Sequence, residues 1–361
     1  MASTLATRSF AHEALPGRVA FGCGIARTRL EDELATAGAE RVLLVVAPAE
    51  RSLADELAAP LGGRIVDVFE DVRPHVPVEI ARRAVEAAER ARADWVLAVG
   101  GGSTTGTAKA IALELGLPIA AVPTTYAGSE MTPVWGLTEA GRKVTGRAAA
   151  VQPRLVLYDP ELTVTLPASI TATSAGNGIA HCVEAFYAPA TSPIAALFAE
   201  EGIRALTIGA PRAVADPGDL EARSETLYGA YLAGSAFAYA GSDLHHKLCH
   251  VLGGALDLPH AETHTVVLPH AFAFVEPALP PEVGDRIRAA LATETSGATA
   301  LYDFAASLGV PLSLRELGMA ESDIPRLVPE VLAQVPATTP RPPAAADVTA
   351  ILEAAWSGRR P

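Results

Sequence analysis

The rhythm of apolar positions divides the chain in two. In the first half, Arg41 to Ala47 (RVLLVVA) and Trp95 to Gly100 (WVLAVG) are continuous apolar runs rich in β-branched residues and bounded by turn residues. Strands buried on both faces of a parallel sheet read this way. Between them, VEIARRAVEAAERARA places Ile80, Ala84, Val85 and Ala88 on one helical face and its charges on the other. Further strands are expected at Leu117 to Pro123 and Arg154 to Pro160. Strand, helix and strand in alternation predict a βαβ sheet covered by helices. Beyond Pro160 the pattern changes to long Ala-rich helical segments such as SPIAALFAEEGIRALTIGA and ETLYGAYLAGSAFAYAG. ALPPEV and TTPRPPAAAD read as loops, the second leading into a last helix from about Asp347. The expected fold is an α/β domain with a parallel sheet over residues 1–160, followed by an all-helical domain over residues 161–361.

A length of 361 residues suits two domains, each with its own core. No apolar run is long enough to span a bilayer, and MASTLATRSFAHEALPGRV lacks the pattern of a secretory signal, so a cytoplasmic protein is expected. Cys23, Cys182 and Cys249 form no CxxC pair and read as thiols rather than a disulfide framework. The net charge of −13 and the lack of a basic cluster exclude nucleic acid and anionic membrane as partners.

Three stretches carry candidate chemistry. The first, GGGSTTGTAK, runs from Gly100 to Lys109 off the end of an expected strand. Its glycines let backbone N–H groups approach a pyrophosphate, and the helix that follows offers unpaired donors to an anion. Taken alone it is also an ordinary tight turn. The second, PTTYAGSEMT, follows another expected strand and offers Thr124, Thr125, Tyr126 and Ser129 as donors. Two such loops at the carboxyl ends of parallel strands lie where an open α/β sheet binds its ligand. The third, HHKLCHVLGGALDLPHAETH, holds five of the nine histidines. His246 and His250 are spaced to share a helix face, as are Asn177 and His181, and His260 lies beyond a Gly-Gly and Pro break. Four side chains so paired could hold a metal, yet imidazoles and an amide lack the carboxylate that would partly neutralise a divalent cation. The alternative for each histidine alone is a hydrogen-bonded packing residue.

These stretches, with DPELTVTLP and GNGIAHCVEAFYA, resemble the iron-containing alcohol dehydrogenase superfamily and within it the maleylacetate reductase branch. The resemblance implies a dinucleotide-binding domain, a helical domain and an active site in the cleft between them. It aligns Asn177, His181, His246 and His260 with the Asp and three His that hold metal in other members, and His250 with a further active-site histidine. The departure at Asn177 is typical of the branch that works without a metal, so no metal is expected. Gly100, Gly101, Gly102, Ser103, Thr124 and Thr125 match the pyrophosphate and nicotinamide loops, and Ser129 and Lys143 join the expected cofactor contacts.

Ala47 stands where many relatives carry an Asp that repels a 2′-phosphate, so either NADH or NADPH is admitted, with Arg51 nearby as possible help to the latter. The implied reaction reduces maleylacetate to 3-oxoadipate in aromatic-compound degradation. His246, His250, Lys247 or Tyr126 would supply donors to an enolate, and a histidine titrating near neutrality would supply the proton. Lys247, Arg142 and Lys143 are the cations expected to meet the dicarboxylate substrate, and a homodimer is the expected assembly. A metal-dependent alcohol dehydrogenase, a lyase like dehydroquinate synthase and a non-catalytic binding protein are the alternatives.

Overall fold

The computed structural model describes residues 10, 12–15, 17–139 and 142–361, the side chains of Arg142 and Lys143 excepted. The strands are β1 (Arg18–Phe21), β2 (Val42–Val46), β3 (Ile65–Phe69), β4 (Trp95–Gly100), β5 (Ile119–Pro123), β6 (Val134–Glu139), β7 (Arg142–Arg147) and β8 (Leu155–Tyr158). Six of them form one parallel sheet in the order β1-β8-β5-β4-β2-β3, while β6 and β7 pair as an antiparallel hairpin. The four expected strands are β2, β4, β5 and β8. Short β1 and β3 lie at the two edges and went unread, as did the hairpin, whose second strand begins at Arg142.

The helices of the first half are α1 (Ile25–Thr36), α2 (Arg51–Ala58), α3 (Val78–Ala91) and α4 (Gly102–Leu115). They cover both faces of the sheet. Val42, Leu44 and Val46 of β2 pack with Leu30, Leu34, Ala54 and Leu57 of α1 and α2. Leu43 and Val45 pack on the opposite face with Ala84, Ala88, Ala108 and Ile111 of α3 and α4. The period-two alternation of β2 thus feeds two cores, which is why its run is apolar throughout. It follows that the chain leaves β2 toward one face and leaves the neighbouring β4 toward the other. A doubly wound sheet opens a crevice at such a switch point, at the carboxyl ends of the strands.

The second half is helical: α5 (Ala168–Ala185), α6 (Pro193–Ala215), α7 (Leu220–Ala240), α8 (Leu244–Leu256), α9 (His260–Val275), α10 (Pro281–Ala290), α11 (Gly297–Ser307), α12 (Ile324–Leu332) and α13 (Ala345–Ser357). Helix α5 is central, with every residue from Thr171 to Ala185 buried. Among the described residues no helix is long and apolar enough to cross a membrane.

The turn after β5 joins the two halves. Gly128 has φ 70°, a side chain at Gly234 of α7 would collide with the Gly128 backbone, and a Cβ on Gly128 would press on the Gly234 backbone at 3.2 Å. The same turn is fastened to α4 from within. The Nζ of Lys109, fully buried, donates to the carbonyls of Ser129 (2.6 Å), Thr132 (2.8 Å) and Val134 (2.7 Å). Burial pulls this amine down to about 7, opposed by the charge of Glu130. Replacing Lys109 by Met leaves these carbonyls without their donor and is expected to remove about 3–5 kcal/mol of stability. The measurement is the urea unfolding midpoint, and an unshifted midpoint would show that the turn does not depend on this amine.

Candidate active site

Two sets of residues converge from the two halves. The first is at the crevice. Gly101 precedes α4 with no side-chain cap, so the first N–H groups of that helix remain available to an anion. Gly100 has φ 148°, and a Cβ there would lie 2.5 Å from Glu50 Oε2 and 2.5 Å from Thr104 Oγ1. A Cβ on Gly101 would lie 2.9 Å from the Thr125 methyl, so both glycines make room for neighbouring side chains. Thr124 donates from its hydroxyl to Glu50. Gly100, Gly101, Gly102, Ser103, Thr124 and Thr125 therefore do meet at one edge of the sheet. Ala47 follows β2 beside them and its carbonyl accepts from the Glu50 N–H at 2.9 Å. Ser129 lies farther along the turn, its carbonyl held by Lys109. The side chains of Lys143 and Arg142 lie outside the described residues.

The second set is the histidine cluster. Helix α5 presents Asn177, His181 and Glu184 at helical spacing, all buried. The His181 ring stacks on His246 of α8 with centroids 5.1 Å apart, and Phe237 of α7 packs against both. His246 in turn meets His250 at 6.1 Å and His264 at 4.6 Å, and His260 lies 4.2 Å from His264. The four histidines read from the sequence as neighbours are therefore brought together. Two more, His245 and His264, complete the cluster from behind, and His245 Nε2 bonds the His264 carbonyl at 3.0 Å. The signal for His264 was its spacing of four from His260 on one helix.

Glu184 was also missed, although it sits seven residues after Asn177 on the same helix. It bonds His246 Nδ1 and accepts from the His246 N–H at 3.3 Å. Burial raises this carboxyl to about 8. Burial also lowers the imidazoles: His181 to about 4, His245 to about 3, and His246 and His264 well below the ordinary range. These four are neutral at pH 7. His246 is thus not the histidine titrating near neutrality that the chemistry was expected to use.

Two further expectations are corrected by position. The buried hydroxyl of Tyr126 donates to Thr163 (3.0 Å) and accepts from Arg223 (3.2 Å), inside a core patch with Tyr158 and Leu227. It does not reach the histidines. Lys247 follows His246 on α8, but its charge acts on Asp243, the residue that caps this helix. A cavity of about 90 Å³ lies beside the cluster, lined by His250, His260, Asp257, His75 and Thr138 among others; Lys247 is not part of its wall, and neither are Asn177, His181 and His246, which lie buried behind it.

Residues 16–160 match the iron-containing alcohol dehydrogenase family, and residues 171–356 match the C-terminal part of the same family. The chain is 45% identical over 354 residues to maleylacetate reductase 1 of Cupriavidus pinatubonensis, spanning 98% of this chain and 99% of that one. The structure of a maleylacetate reductase from Agrobacterium tumefaciens superposes with a TM-score of 0.94 at 42% identity, covering 98% of this chain and 100% of that one. Sulfoacetaldehyde reductase from Bifidobacterium kashiwanohense, solved in complex with NAD+, shares the fold with a TM-score of 0.87 at 24% identity, over 96% of this chain and 98% of that one. The chain belongs to the iron-containing alcohol dehydrogenase family.

Iron would need donors that offset its charge. Nitrogens of His245, His246 and His264 come within 4.8 Å of one another, and the Asn177 Oδ1 and His246 Nε2 are buried without a hydrogen-bond partner among the described residues. All of these donors are neutral. The Glu184 carboxyl, raised by burial, is engaged by Nδ1 of the His246 ring, away from Nε2. A doubly charged ferrous ion would enter a desolvated site with no anionic ligand against it, so this donor set does not fit iron.

Gly100→Ala forces a side chain into a backbone conformation that favours glycine and into the Glu50 and Thr104 side chains. The expected outcome is a loss of about 1–3 kcal/mol in thermal unfolding together with weakened NADH binding by fluorescence titration. Wild-type values in both would remove the crevice from the site.

Proposed function

We propose that the protein reduces maleylacetate to 3-oxoadipate with NADH or NADPH as hydride donor and without a metal. The substrate rests on the maleylacetate reductase from Cupriavidus pinatubonensis that the chain matches over 98% of its length. The chemistry rests on one observation: a desolvated cluster of neutral imidazoles carries Asn177 at the position where the resemblance calls for an anionic ligand. Residues 1–160 act as the dinucleotide domain and residues 161–361 as the catalytic domain. The same reading carries a cytoplasmic homodimer acting on a small dicarboxylate.

In this reading the pyrophosphate lies at the uncapped start of α4, against Gly100, Gly101, Gly102 and Ser103, with Thr124 and Thr125 on the nicotinamide side. Hydride adds to the alkene carbon β to the ketone, and the electron pair of the alkene moves onto the ketone oxygen as an enolate. That oxygen needs hydrogen-bond donors placed where its charge develops. His246, oriented by Glu184, and His250 on the cavity wall are the donors. Protonation of the carbon next to the ketone completes the reduction, leaving NAD(P)+ and 3-oxoadipate. His250 delivers that proton, with His260 beside it on the cavity wall and His181 and Asn177 in the buried cluster that backs His246.

A metal-dependent alcohol dehydrogenase of the same family is the second reading, and the close approach of three histidine nitrogens favours it. Oxidation of NADH and NADPH by maleylacetate, measured before and after exhaustive chelation, separates the two. Turnover that survives chelation is expected. Activity that disappears and returns with one metal overturns the metal-free reading, and absence of turnover with maleylacetate overturns the substrate. Asn177→Asp is expected to raise metal affinity, because it restores an anion beside the imidazoles.

His250→Ala is expected to lower kcat by on the order of 10²–10³ while leaving NADH binding nearly intact, as for loss of a donor aimed at a developing oxyanion. A variant that binds NADH and turns over at the normal rate removes His250 from the chemistry.

A further inference from the structure

We propose that Glu50 selects the cofactor: its carboxylate receives the ribose hydroxyls of NADH and turns away the 2′-phosphate of NADPH. This rests on the dinucleotide reading above and adds a choice that Ala47 left open.

Topology carries the first step. The chain turns from β2 toward α2 on one face and from β4 toward α4 on the other, so the crevice lies between the carboxyl ends of these adjacent strands. In a doubly wound sheet the glycine-rich turn takes the pyrophosphate, and an acid at the end of the neighbouring strand takes the adenosine ribose. Here β4 carries the glycines and β2 is its neighbour. The residue at the end of β2 is Ala47, which has nothing to offer. A 3-10 turn at Pro48–Glu50 follows, and it swings the next acid back over the strand ends.

Side-chain geometry carries the second step. Glu50 reaches across β4, past Gly100, to accept from the Thr124 hydroxyl beyond it. Its other oxygen lies 2.5 Å from the place a Gly100 Cβ would occupy. Among the described residues that oxygen accepts no hydrogen bond. Gly100 therefore keeps open the space that this carboxylate enters, and one acceptor remains for a ligand hydroxyl. Partial burial, which raises the pKa of Glu50, also strengthens any interaction the group makes with a second charge.

The neighbouring cation does not cancel this charge. Arg51 donates to Asp55 at 2.8 Å and to Glu70 at 2.8 Å, so the arginine that could have welcomed a 2′-phosphate is held by two carboxylates of its own. A phosphate arriving here meets Glu50 without a cation committed to it.

The test is fluorescence titration of the full-length protein with NADH and with NADPH, wild type and Glu50→Gln, at low and high salt. Glutamine keeps an oxygen for the Thr124 hydroxyl and removes only the charge. Wild type is expected to bind NADH roughly tenfold or more tightly than NADPH at low salt, with the gap narrowing as salt screens the repulsion. Glu50→Gln is expected to close most of that gap and its salt dependence by gaining NADPH affinity. Equal weakening of both cofactors with the ratio unchanged would make Glu50 a strut for Thr124 and overturn the proposal, as would wild-type affinities that do not differ. Wild type that binds neither dinucleotide would overturn the cofactor reading as well. Should the variant fail to fold, the salt dependence of the wild-type ratio decides alone.

Discussion

The site depends on a buried ammonium. Lys109 leaves the middle of α4, passes through the core and gathers the carbonyls of Ser129, Thr132 and Val134 around its Nζ. Taking a cation out of water is costly, and the cost is offset only when every donor finds an acceptor. That requirement fixes the distance between α4 and the turn after β5. Since the first turn of α4 carries Gly102 and Ser103 and the other loop begins with Thr124 and Thr125, one interaction holds both walls of the crevice. Glu130 adds a second tie, accepting from Tyr158 of β8 at 2.7 Å. The Gly128 and Gly234 backbones then press this loop onto α7, so the geometry of the sheet passes directly to the helical half.

Within that half, desolvation determines what the histidines can do. Helix α5 is buried all round yet carries Asn177, His181 and Glu184; Glu184 is satisfied by His246, while Asn177 Oδ1 and His181 Nδ1 have no hydrogen-bond partner among the described residues. Burial keeps His181 and His246 neutral and raises Glu184. A cluster of charged imidazoles would repel itself, whereas neutral rings stack and meet edge to face as these do. The consequence is a buried cluster, behind the His250 and His260 wall of the cavity, that offers oriented N–H groups and lone pairs on uncharged rings. Its single carboxyl partner addresses one ring nitrogen of His246 and thereby orients that ring.

Much of this was legible because apolar period and turn chemistry act locally. The four central strands are apolar on both faces, and that continuity marks them in any reading frame. Edge strands β1 and β3 need less cover and carry exposed positions such as Arg18 and Asp67, so their pattern is diluted. The hairpin of β6 and β7 is half exposed, and its polar residues imitate a loop. Paired spacing on helices revealed His181, His246 and His250, but spacing cannot say which face is desolvated, so Tyr126 looked like a donor to the ligand when its hydroxyl belongs to Thr163 and Arg223. Glu50 was hidden for a different reason. Its position depends on which strand neighbours β4, and the sheet order is a long-range fact that no local window contains.

The replacement at Asn177 can be weighed against the reaction proposed. Reduction of a simple carbonyl places hydride on the carbonyl carbon and full negative charge on its oxygen at once, which a Lewis acid is suited to stabilise. Hydride addition at the far end of a conjugated alkene spreads the same charge over an enolate, and that anion is weakly enough basic for hydrogen bonds to hold. A site for the second chemistry can therefore dispense with the metal, and once it does, a carboxylate facing the substrate becomes a liability, because it would repel both the enolate and the two carboxylates of the substrate. An amide of the same shape removes that repulsion and leaves the packing of α5 intact. In the reaction we propose, Asn177 would both weaken metal binding and spare a dianionic substrate one further negative charge, inside a protein whose net charge is −13.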